Sequence, residues 1–298
     1  MLDPKLLEAL QAVVECGGFE KAAQRLFLTQ SAVSQRIKLL EERLGQPVVT
    51  RTSPIDTTVA GRRLLRHFHQ LSLMEKDLLD TLQVTRTDSA FTMLAIGVNA
   101  DSLAGWFLQA VKPFLKRHPV VLDLLMDDQD YTHELMRNGH VAGCVSTRAQ
   151  AVQGSECRLL GHVRYLCLAT PAFRDRFFSS GMTPEALSAA PAILYDRKKD
   201  DMHHQFLSGT LGFTGHFPAF ALPTPEGFLD YTREGLAYSL QPELMLADDL
   251  DTGRLVDLCP GLWMDMPMYW HHWRIESNLI SEIEETLVEF ALAHLRQP

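Results

Sequence analysis

The segment from residue 30 to residue 44 constrains this chain more than any other. Its sequence is QSAVSQRIKLLEERL, and on a helix its apolar residues fall on one side because they lie four, three and four positions apart. These residues are Val33, Ile37, Leu40 and Leu44. The opposite side presents hydroxyls, an amide and a cation from Ser31, Ser34, Gln35 and Lys38. The segment therefore predicts an amphipathic helix.

The polar side of this helix suits contact with DNA. Hydroxyl and amide groups donate to and accept from base edges in the major groove, and Lys or Arg contacts phosphate. The alternative is an ordinary surface helix, which would more often carry mixed acids and bases, as at Glu41, Glu42 and Arg43. DNA would repel those acids, so the N-terminal half is the expected groove end.

Short helices and a small hairpin are predicted around this segment. Apolar residues at helical spacing predict one helix at about residues 6–14 and a second at about 19–27. Thr29 can cap the third helix, and Gly45 can end it. Residues 48–58 then predict a hairpin or wing, which completes a winged helix-turn-helix.

Charge is unevenly distributed along the chain. The 298 residues carry a formal net charge of −9, which by itself argues against a nucleic-acid partner. Residues 19–66, however, contain nine basic and four acidic residues, a net charge of +5. A local basic face is what neutralises phosphates, so the charge of the whole chain does not exclude DNA.

A fourth, longer helix is predicted from about residue 59 to residue 84. Five apolar residues and one glutamate recur along it at alternating spacings of four and three, which is a short heptad pattern. They are Leu64, Phe68, Leu71, Glu75, Leu78 and Leu82. This pattern predicts either a helix packed on its own domain or a linker helix that dimerises. The polar residues 85–90 after it suggest a hinge.

From residue 91 onward, apolar β-rich runs alternate with helical segments. Strands are predicted at about 94–98, 120–126, 141–146, 165–169, 192–195, 217–222, 236–240 and 268–270, and a closing helix at 281–296. Such alternation indicates open α/β sheets with helices on both faces. Trp270, in the last of these runs, is expected in the core.

The N-terminal residues resemble the winged helix-turn-helix signature of LysR-type transcriptional regulators. The resemblance rests on Ala22-Ala23, Leu26, the run TQSAVSQRI from Thr29, Leu40-Glu41, Leu44-Gly45, Pro47 and Arg51. It continues along essentially the whole chain. Within the family, the chain most resembles the lysine- and arginine-responsive ArgP subgroup, through residues 29–38, 98–104, 200–203 and 269–271.

The resemblance implies that the third helix and the wing bind double-stranded DNA. A homodimer or homotetramer would read paired half-sites, and RNA polymerase would be a further partner. The expected DNA-binding residues are Gln30, Ser31, Ser34, Gln35, Arg36, Lys38 and Arg51. One departure lies in the wing, where the family usually offers a second Arg and this chain has Ile55-Asp56. Unless Asp56 turns away, it would repel phosphate, so we expect weaker or altered contact there.

The resemblance also sets the expected domain limits. An all-α winged helix-turn-helix at 1–58 precedes a long linker helix and hinge at 59–88. An α/β effector-binding domain at 89–298, similar to a small periplasmic binding protein, completes the chain. Its first subdomain would comprise about 91–162 and 267–298, and its second about 163–266.

Polar residues follow several of the predicted strands, where ligands of open α/β sheets bind. They are Asp101, Ser102, Asp127, Asp128, Ser146, Asp200, Asp201 and Glu226. Together they predict a polar cleft in which backbone N–H groups near Ser102 hold a carboxylate and the acids hold a basic group. Alternatively, Asp101 and Ser102 cap a helix and the other acids are solvated. No cofactor is expected, and the resemblance implies a small-molecule effector such as lysine or arginine.

The alternatives to a ligand-responsive regulator are an enzyme, a thiol redox sensor and a sequence-neutral DNA-binding protein. An enzyme is not expected, because the sequence has neither a Gly-x-Ser-x-Gly elbow nor a phosphate-cradling glycine loop. Adjacent histidines at 203–204 and 271–272 point apart, so no metal site is expected. Cys157 and Cys167 could sense oxidants, although the apolar run around Cys167 favours an inert thiol. Base reading by Ser31, Ser34 and Gln35 argues against a sequence-neutral nucleoid protein.

Composition favours a cytoplasmic protein. The five cysteines, few and odd in number, argue against a disulfide scaffold and for a reducing compartment. The sequence has no uncharged apolar run of about 18 residues, and its N-terminus lacks the basic and apolar regions of a secretory signal. We expect a bacterial protein associated with the nucleoid and not with a membrane.

Overall fold

The computed structural model describes residues 2–50, 52, 55–82, 91–126, 132–196 and 202–298. Several of the predicted site residues lie outside these ranges. They are Arg51, Asp127, Asp128, Asp200 and Asp201.

Three helices and the start of a fourth enclose the N-terminal core. They are α1 (Pro4–Glu15), α2 (Phe19–Arg25), α3 (Gln30–Leu44) and α4 (Val59–Thr81). The limits of α3 match the prediction because both end signals are local. The Ala32 N–H donates to Thr29 Oγ1 at 3.2 Å, and Gly45 adopts a left-handed φ of 69°.

The segment between α3 and α4 forms a minimal wing. Val49 and Thr57 make a single antiparallel bridge across it. The Val48 N–H donates to Glu41 Oε1 at 2.9 Å, which ties the base of the wing to α3. The predicted hairpin is therefore confirmed for the described part of this segment.

The turn between α2 and α3 holds Phe27 in a left-handed backbone conformation. Its φ is 54° and its residue surface is 96% exposed, so packing does not offset the cost of this conformation, about 1–2 kcal/mol. Phe27→Asn is expected to raise the free energy of unfolding by about 1 kcal/mol in urea denaturation, because Asn tolerates this backbone region. Leu39→Asn, at an exposed helical site, is the control and should not stabilise. Equal or lower stability of Phe27→Asn would contradict this prediction.

The long helix α4 contacts both domains and ends three residues before the predicted limit. Leu64 packs in the N-terminal core, whereas Leu73 packs in the core of the second domain. Leu71, Leu78 and Leu82 are 43%, 57% and 61% exposed. The heptad pattern is therefore divided. Its first part packs on its own domain, and its last part is open to a partner.

The second domain contains one large mixed sheet and a small parallel pair. The strands are β1 (Thr92–Val98), β2 (Val120–Met126), β3 (Gly143–Ser146), β4 (Ser155–Ala169), β5 (Ala192–Leu194), β6 (Ala219–Ala221), β7 (Ser239–Pro242), β8 (Val256–Asp257) and β9 (Met264–Trp273). The order in the large sheet is β2-β1-β3-β9-β4-β7, with β8 beside β4, and β5 pairs with β6. The predicted α/β architecture is confirmed.

Helices pack against these strands. They are α5 (Ala100–Ser102), α6 (Leu108–Arg117), α7 (Thr132–Arg137), α8 (Pro171–Phe177), α9 (Pro184–Ala189), α10 (Met202–Leu211), α11 (Pro225–Arg233) and α12 (Asn278–His294). A π-helical turn, Leu103–Phe107, joins α5 to α6, so 100–117 is one continuous helical segment. Among the described helices, none is both long enough and apolar enough to cross a bilayer.

Strands β4 and β9 are much longer than predicted and pair with each other along ten residue pairs. The sequence predicted only their most apolar parts, because most residues from Ser155 to Leu159 of β4 are exposed or half-buried. The expected subdomain limits, 162/163 and 266/267, fall inside these strands. Trp270 of β9 is fully buried, as predicted.

Candidate DNA-binding surface and effector cleft

Helix α3 presents its predicted polar side to solvent. Val33, Ile37 and Leu40 are buried against α1, α2 and the base of α4. The exposed residues on the opposite side are Gln30, Ser31, Ser34, Gln35 and Lys38. The N-terminal half of α3 therefore offers hydroxyl, amide and ammonium groups to a duplex, with little packing to undo.

Arg36 and Lys38, two of the predicted DNA-binding cations, differ in their surroundings. Arg36 Nη1 donates to the Lys5 carbonyl at 3.4 Å and lies 3.9 Å from Glu8 Oε2, so this side chain faces α1. The reason is that residue 36 lies three positions after the buried Val33 and four before the buried Leu40, at the border of the apolar stripe. Lys38 Nζ lies 3.7 Å from Glu42 Oε1, and both side chains are exposed. Such a pair is weak, so a DNA phosphate can take the place of Glu42 beside Lys38.

Asp56 of the wing bonds to its own neighbour in the chain. Its Oδ1 accepts hydrogen bonds from the Thr57 N–H at 2.6 Å and from Thr57 Oγ1 at 3.3 Å. Arg62 Nη1 donates to the Thr57 carbonyl at 3.1 Å, which brings a cation to the same corner. The carboxylate is thus turned toward the wing backbone. This is the orientation in which Asp56 would repel a DNA phosphate least.

Asn99, Ser102 and Ser146 lie at the carboxyl ends of two paired strands. Strands β1 and β3 run parallel, and their register sets Asn99 beside Ser146. Ser102 is buried, and its Oγ lies 3.7 Å from Met268 Sδ. Ser146 Oγ accepts a hydrogen bond from the Arg148 N–H at 3.2 Å. The fold therefore brings two of the predicted cleft residues, Ser102 and Ser146, to one edge of the sheet.

Asp101 and Glu226, the other described acids of the predicted cleft, have different surroundings. The Tyr165 hydroxyl donates to Asp101 Oδ2 at 2.5 Å, which ties α5 to β4. Glu226 lies in the first turn of α11, is exposed and accepts a hydrogen bond from Thr224 Oγ1 at 2.7 Å. In the part of the chain that the structure describes, no hydrogen bond joins Glu226 to Ser102 or Ser146.

Asn99 is the residue at this edge that the sequence did not single out. It is 1% exposed, and neither its side-chain oxygen nor its side-chain nitrogen has a hydrogen-bond partner among the described residues. It is the N-cap of α5, yet its side chain makes no capping hydrogen bond. Because Asn99 holds the N-cap position, neither Asp101 nor Ser102 is the N-cap residue of α5. A buried unpaired amide costs about 1–3 kcal/mol, which a ligand can recover.

Comparison with known families covers most of the chain. Residues 4–62 match the bacterial regulatory helix-turn-helix proteins of the lysR family, and residues 89–294 match the LysR substrate binding domain. The chain belongs to the LysR family. As a member it is a DNA-binding transcriptional regulator with an effector-binding domain, and it is not an enzyme.

Individual relatives of this LysR-family chain support the same placement. The "HTH-type transcriptional regulator ArgP" of Pseudomonas aeruginosa (strain UCBPP-PA14) is 46% identical over 97% of this chain and 95% of its own. The crystal structure of ArgP from Mycobacterium tuberculosis is 36% identical, with a TM-score of 0.87 and complete coverage of both chains. Full-length LysG from Corynebacterium glutamicum with bound effector Arg is 33% identical, with a TM-score of 0.78 over 99% of this chain and all of that one.

Proposed function

We propose that this LysR-family regulator responds to a basic amino acid, lysine or arginine. The observation that carries the proposal is the buried amide of Asn99, which has no partner among the described residues. The amide lies at the N-terminus of the helical segment 100–117, where backbone N–H groups favour a carboxylate. The bound Arg in the related LysG supports an amino acid as the ligand.

The proposed ligand needs two kinds of partner. Its α-carboxylate would accept hydrogen bonds from Ser102, from the Asn99 amide nitrogen and from the backbone at the start of α5, while its α-ammonium would donate to Asn99 Oδ1. Its basic end would meet the acids that follow β2 and β5 in sequence, at 127–128 and 200–201, which are outside the described residues. Ser146 lines the same edge, and Asp101 would position the helix through Tyr165.

The proposed regulator acts on DNA in the bacterial cytoplasm as a homodimer or homotetramer. The exposed side chains Leu71, Leu78 and Leu82 at the end of α4 suit pairing with the same helix of a second copy. Two α3 helices would then read two half-sites, and the wing would contact the backbone. The effector changes the arrangement of the domains only if it binds one arrangement better than the other, and RNA polymerase would respond to that change.

The effector site is tested by Asn99→Leu, which replaces an amide by an apolar side chain of similar shape. The variant is expected to be at least as stable as the native protein without ligand, because an unpaired buried amide is removed. It is also expected to lose the rise in melting temperature that lysine or arginine gives the native protein. At a ligand concentration 100 times the dissociation constant, that rise corresponds to about 2.7 kcal/mol.

Ser188→Ala is the matched control for the effector experiment, because Ser188 is an exposed residue on α9 with a local hydrogen bond to the Pro184 carbonyl. It should leave the response to both amino acids unchanged. If neither amino acid stabilises the native protein, or if Asn99→Leu responds normally, the proposed effector site is wrong. The membership of the family would stand in either case.

The DNA-binding surface is tested by Gln35→Ala and Lys38→Ala. A lost base contact is expected to weaken operator binding about 5- to 100-fold for Gln35→Ala, with little change for unrelated DNA. Lys38→Ala should weaken binding to both DNAs and reduce the slope of log affinity against log salt by about one. Affinities are measured on a fragment selected from random DNA. Gln109→Ala, on α6, is the control and should change neither quantity.

A further inference from the structure

A cavity of about 350 Å³ lies where the N-terminal domain, the linker helix and the effector-binding domain meet. We refer to it as the junction cavity. Its walls come from α1, from α4, from β1 and β2, and from the turn before β3. It is separate from the Asn99 edge of the sheet, because its residues on β1 are 92–95, toward the start of that strand. Cavities of this volume hold small organic molecules.

Several polar groups of the junction cavity can accept a hydrogen bond from a ligand. Asp123 of β2 lines its open side with an exposed carboxylate that forms no hydrogen bond or ion pair within the described residues. His69 Nδ1 lies 2.7 Å from the Gly139 carbonyl, and since a carbonyl only accepts, Nδ1 carries the proton and Nε2 is left as an acceptor. His140 Nε2 is buried without a partner.

Burial lowers the pKa of both His69 and His140, so both rings are neutral near pH 7. A neutral imidazole offers one acceptor nitrogen and adds no positive charge that would oppose a cation. Glu15, the other carboxylate of the cavity wall, is already occupied by Arg25 and by the Gln11 amide. Lys76, the cation bonded at the cavity wall, donates to Thr92 Oγ1. Among the described residues, Asp123, at the solvent-facing side of the cavity, is the lining carboxylate with no ion pair.

The remaining wall is apolar and includes Leu65, Leu73 and Leu125. We propose that the junction cavity binds a small organic amine, with its ammonium group beside Asp123 and the two imidazoles and its hydrocarbon part against these leucines. An ammonium group has three donors and no acceptor, which complements a lining of acceptors. At about 30 Å³ for each water-sized group, the volume admits a molecule of about ten non-hydrogen atoms.

Binding in the junction cavity has a specific consequence, because its walls belong to separate parts of the chain. Other contacts between these parts include the hydrogen bond from His69 to the Gly139 carbonyl, the packing of Leu73 in the core of the second domain, and the Arg66 guanidinium 5.0 Å from the centre of the Trp273 ring. A ligand that touches all the walls stabilises the arrangement in which they meet. The amine would therefore act on the orientation of the DNA-binding domain independently of the effector cleft.

The test uses 2-phenylethylamine, which has no carboxylate, and its neutral counterpart 2-phenylethanol. Calorimetric titration of the full-length protein at pH 7.5 is expected to show binding of the amine and at least about tenfold weaker binding of the alcohol. Asp123→Asn should weaken amine binding to a similar extent. Ala95→Phe, which fills the cavity from β1, should abolish it. Circular dichroism and the response to lysine or arginine show whether each variant is folded.

Asn99→Leu separates this proposal from the proposed effector site. It should bind the amine like the native protein, whether or not it responds to lysine. Loss of amine binding in Asn99→Leu would place the amine in the effector cleft and overturn the proposal. So would an absence of binding at millimolar amine, or equal binding by Asp123→Asn and the native protein.

Discussion

Gly61→Ala is expected to destabilise the N-terminal domain by about 3 kcal/mol and to abolish operator binding at concentrations that saturate the native protein. Gly61 is buried in the first turn of α4, and a Cβ atom there would lie 1.9 Å from the Val48 carbonyl oxygen and 3.3 Å from Thr57 Cβ. The Val48 carbonyl cannot move freely, because it accepts a hydrogen bond from the Thr58 N–H at 3.1 Å. Relief requires α4 to move away from the base of the wing.

The loss of DNA binding follows from the same clash, because the base of the wing is tied to α3 through Val48 and Glu41. Chemical denaturation followed by circular dichroism measures the stability, and fluorescence anisotropy with a labelled operator measures the affinity. Gly18→Ala is the matched control in the same domain: a Cβ at Gly18 meets nothing within 4 Å, and its φ is extended. Native-like stability and affinity of Gly61→Ala would refute the clash.

Asp249→Ala is expected to lower the free energy of unfolding of the effector-binding domain by about 3 kcal/mol. The Asp249 carboxylate is fully buried and serves two cations. Arg233 donates to it through Nε at 3.0 Å and Nη2 at 2.6 Å, and Arg254 donates through Nη1 at 2.9 Å. Its removal leaves two like charges close together. Since both arginines are partly exposed, water screens part of this repulsion and we expect the lower end of the usual range.

Asp175→Ala is the control for this ion-pair experiment. Asp175 accepts from Arg174 at 2.7 Å, as close as the buried pair, but its side chain is 67% exposed. Exposed pairs contribute about 0–1 kcal/mol, so the two substitutions should differ by about 2 kcal/mol or more in urea denaturation. Equal effects would show that burial of Asp249 is not what makes its pairing important.

The parts of the fold that the sequence predicted well are those whose signals are local. Helix α3 begins where Thr29 Oγ1 accepts a hydrogen bond from the Ala32 N–H, three residues later, and it ends at Gly45, which adopts a left-handed conformation. The buried stripe follows from helical periodicity alone. By contrast, the extent of β4 depends on its partner β9, about a hundred residues away, and the largely exposed start of β4 gave no continuous apolar run.

The candidate sites show the same division. The exposed side of α3 was predictable, because a residue's position on a helix fixes its direction. The orientation of Arg36 was not, since it depends on Lys5 and Glu8 of α1. Asn99 was missed because an asparagine after a strand is an ordinary turn residue in sequence, and only the fold shows that its amide is enclosed without a partner among the described residues.

The pairing of β4 with β9 determines how the effector-binding domain can move. Both strands continue from one half of the domain into the other. A ligand that draws the halves together must therefore deform a paired β-ribbon, because the halves are not joined by a flexible hinge. We expect the strain to be taken up as twist along both strands, most easily where the register shifts between Leu159 and Gly161. Since His162 pairs with Arg296, that twist also pulls on the carboxyl-terminal tail.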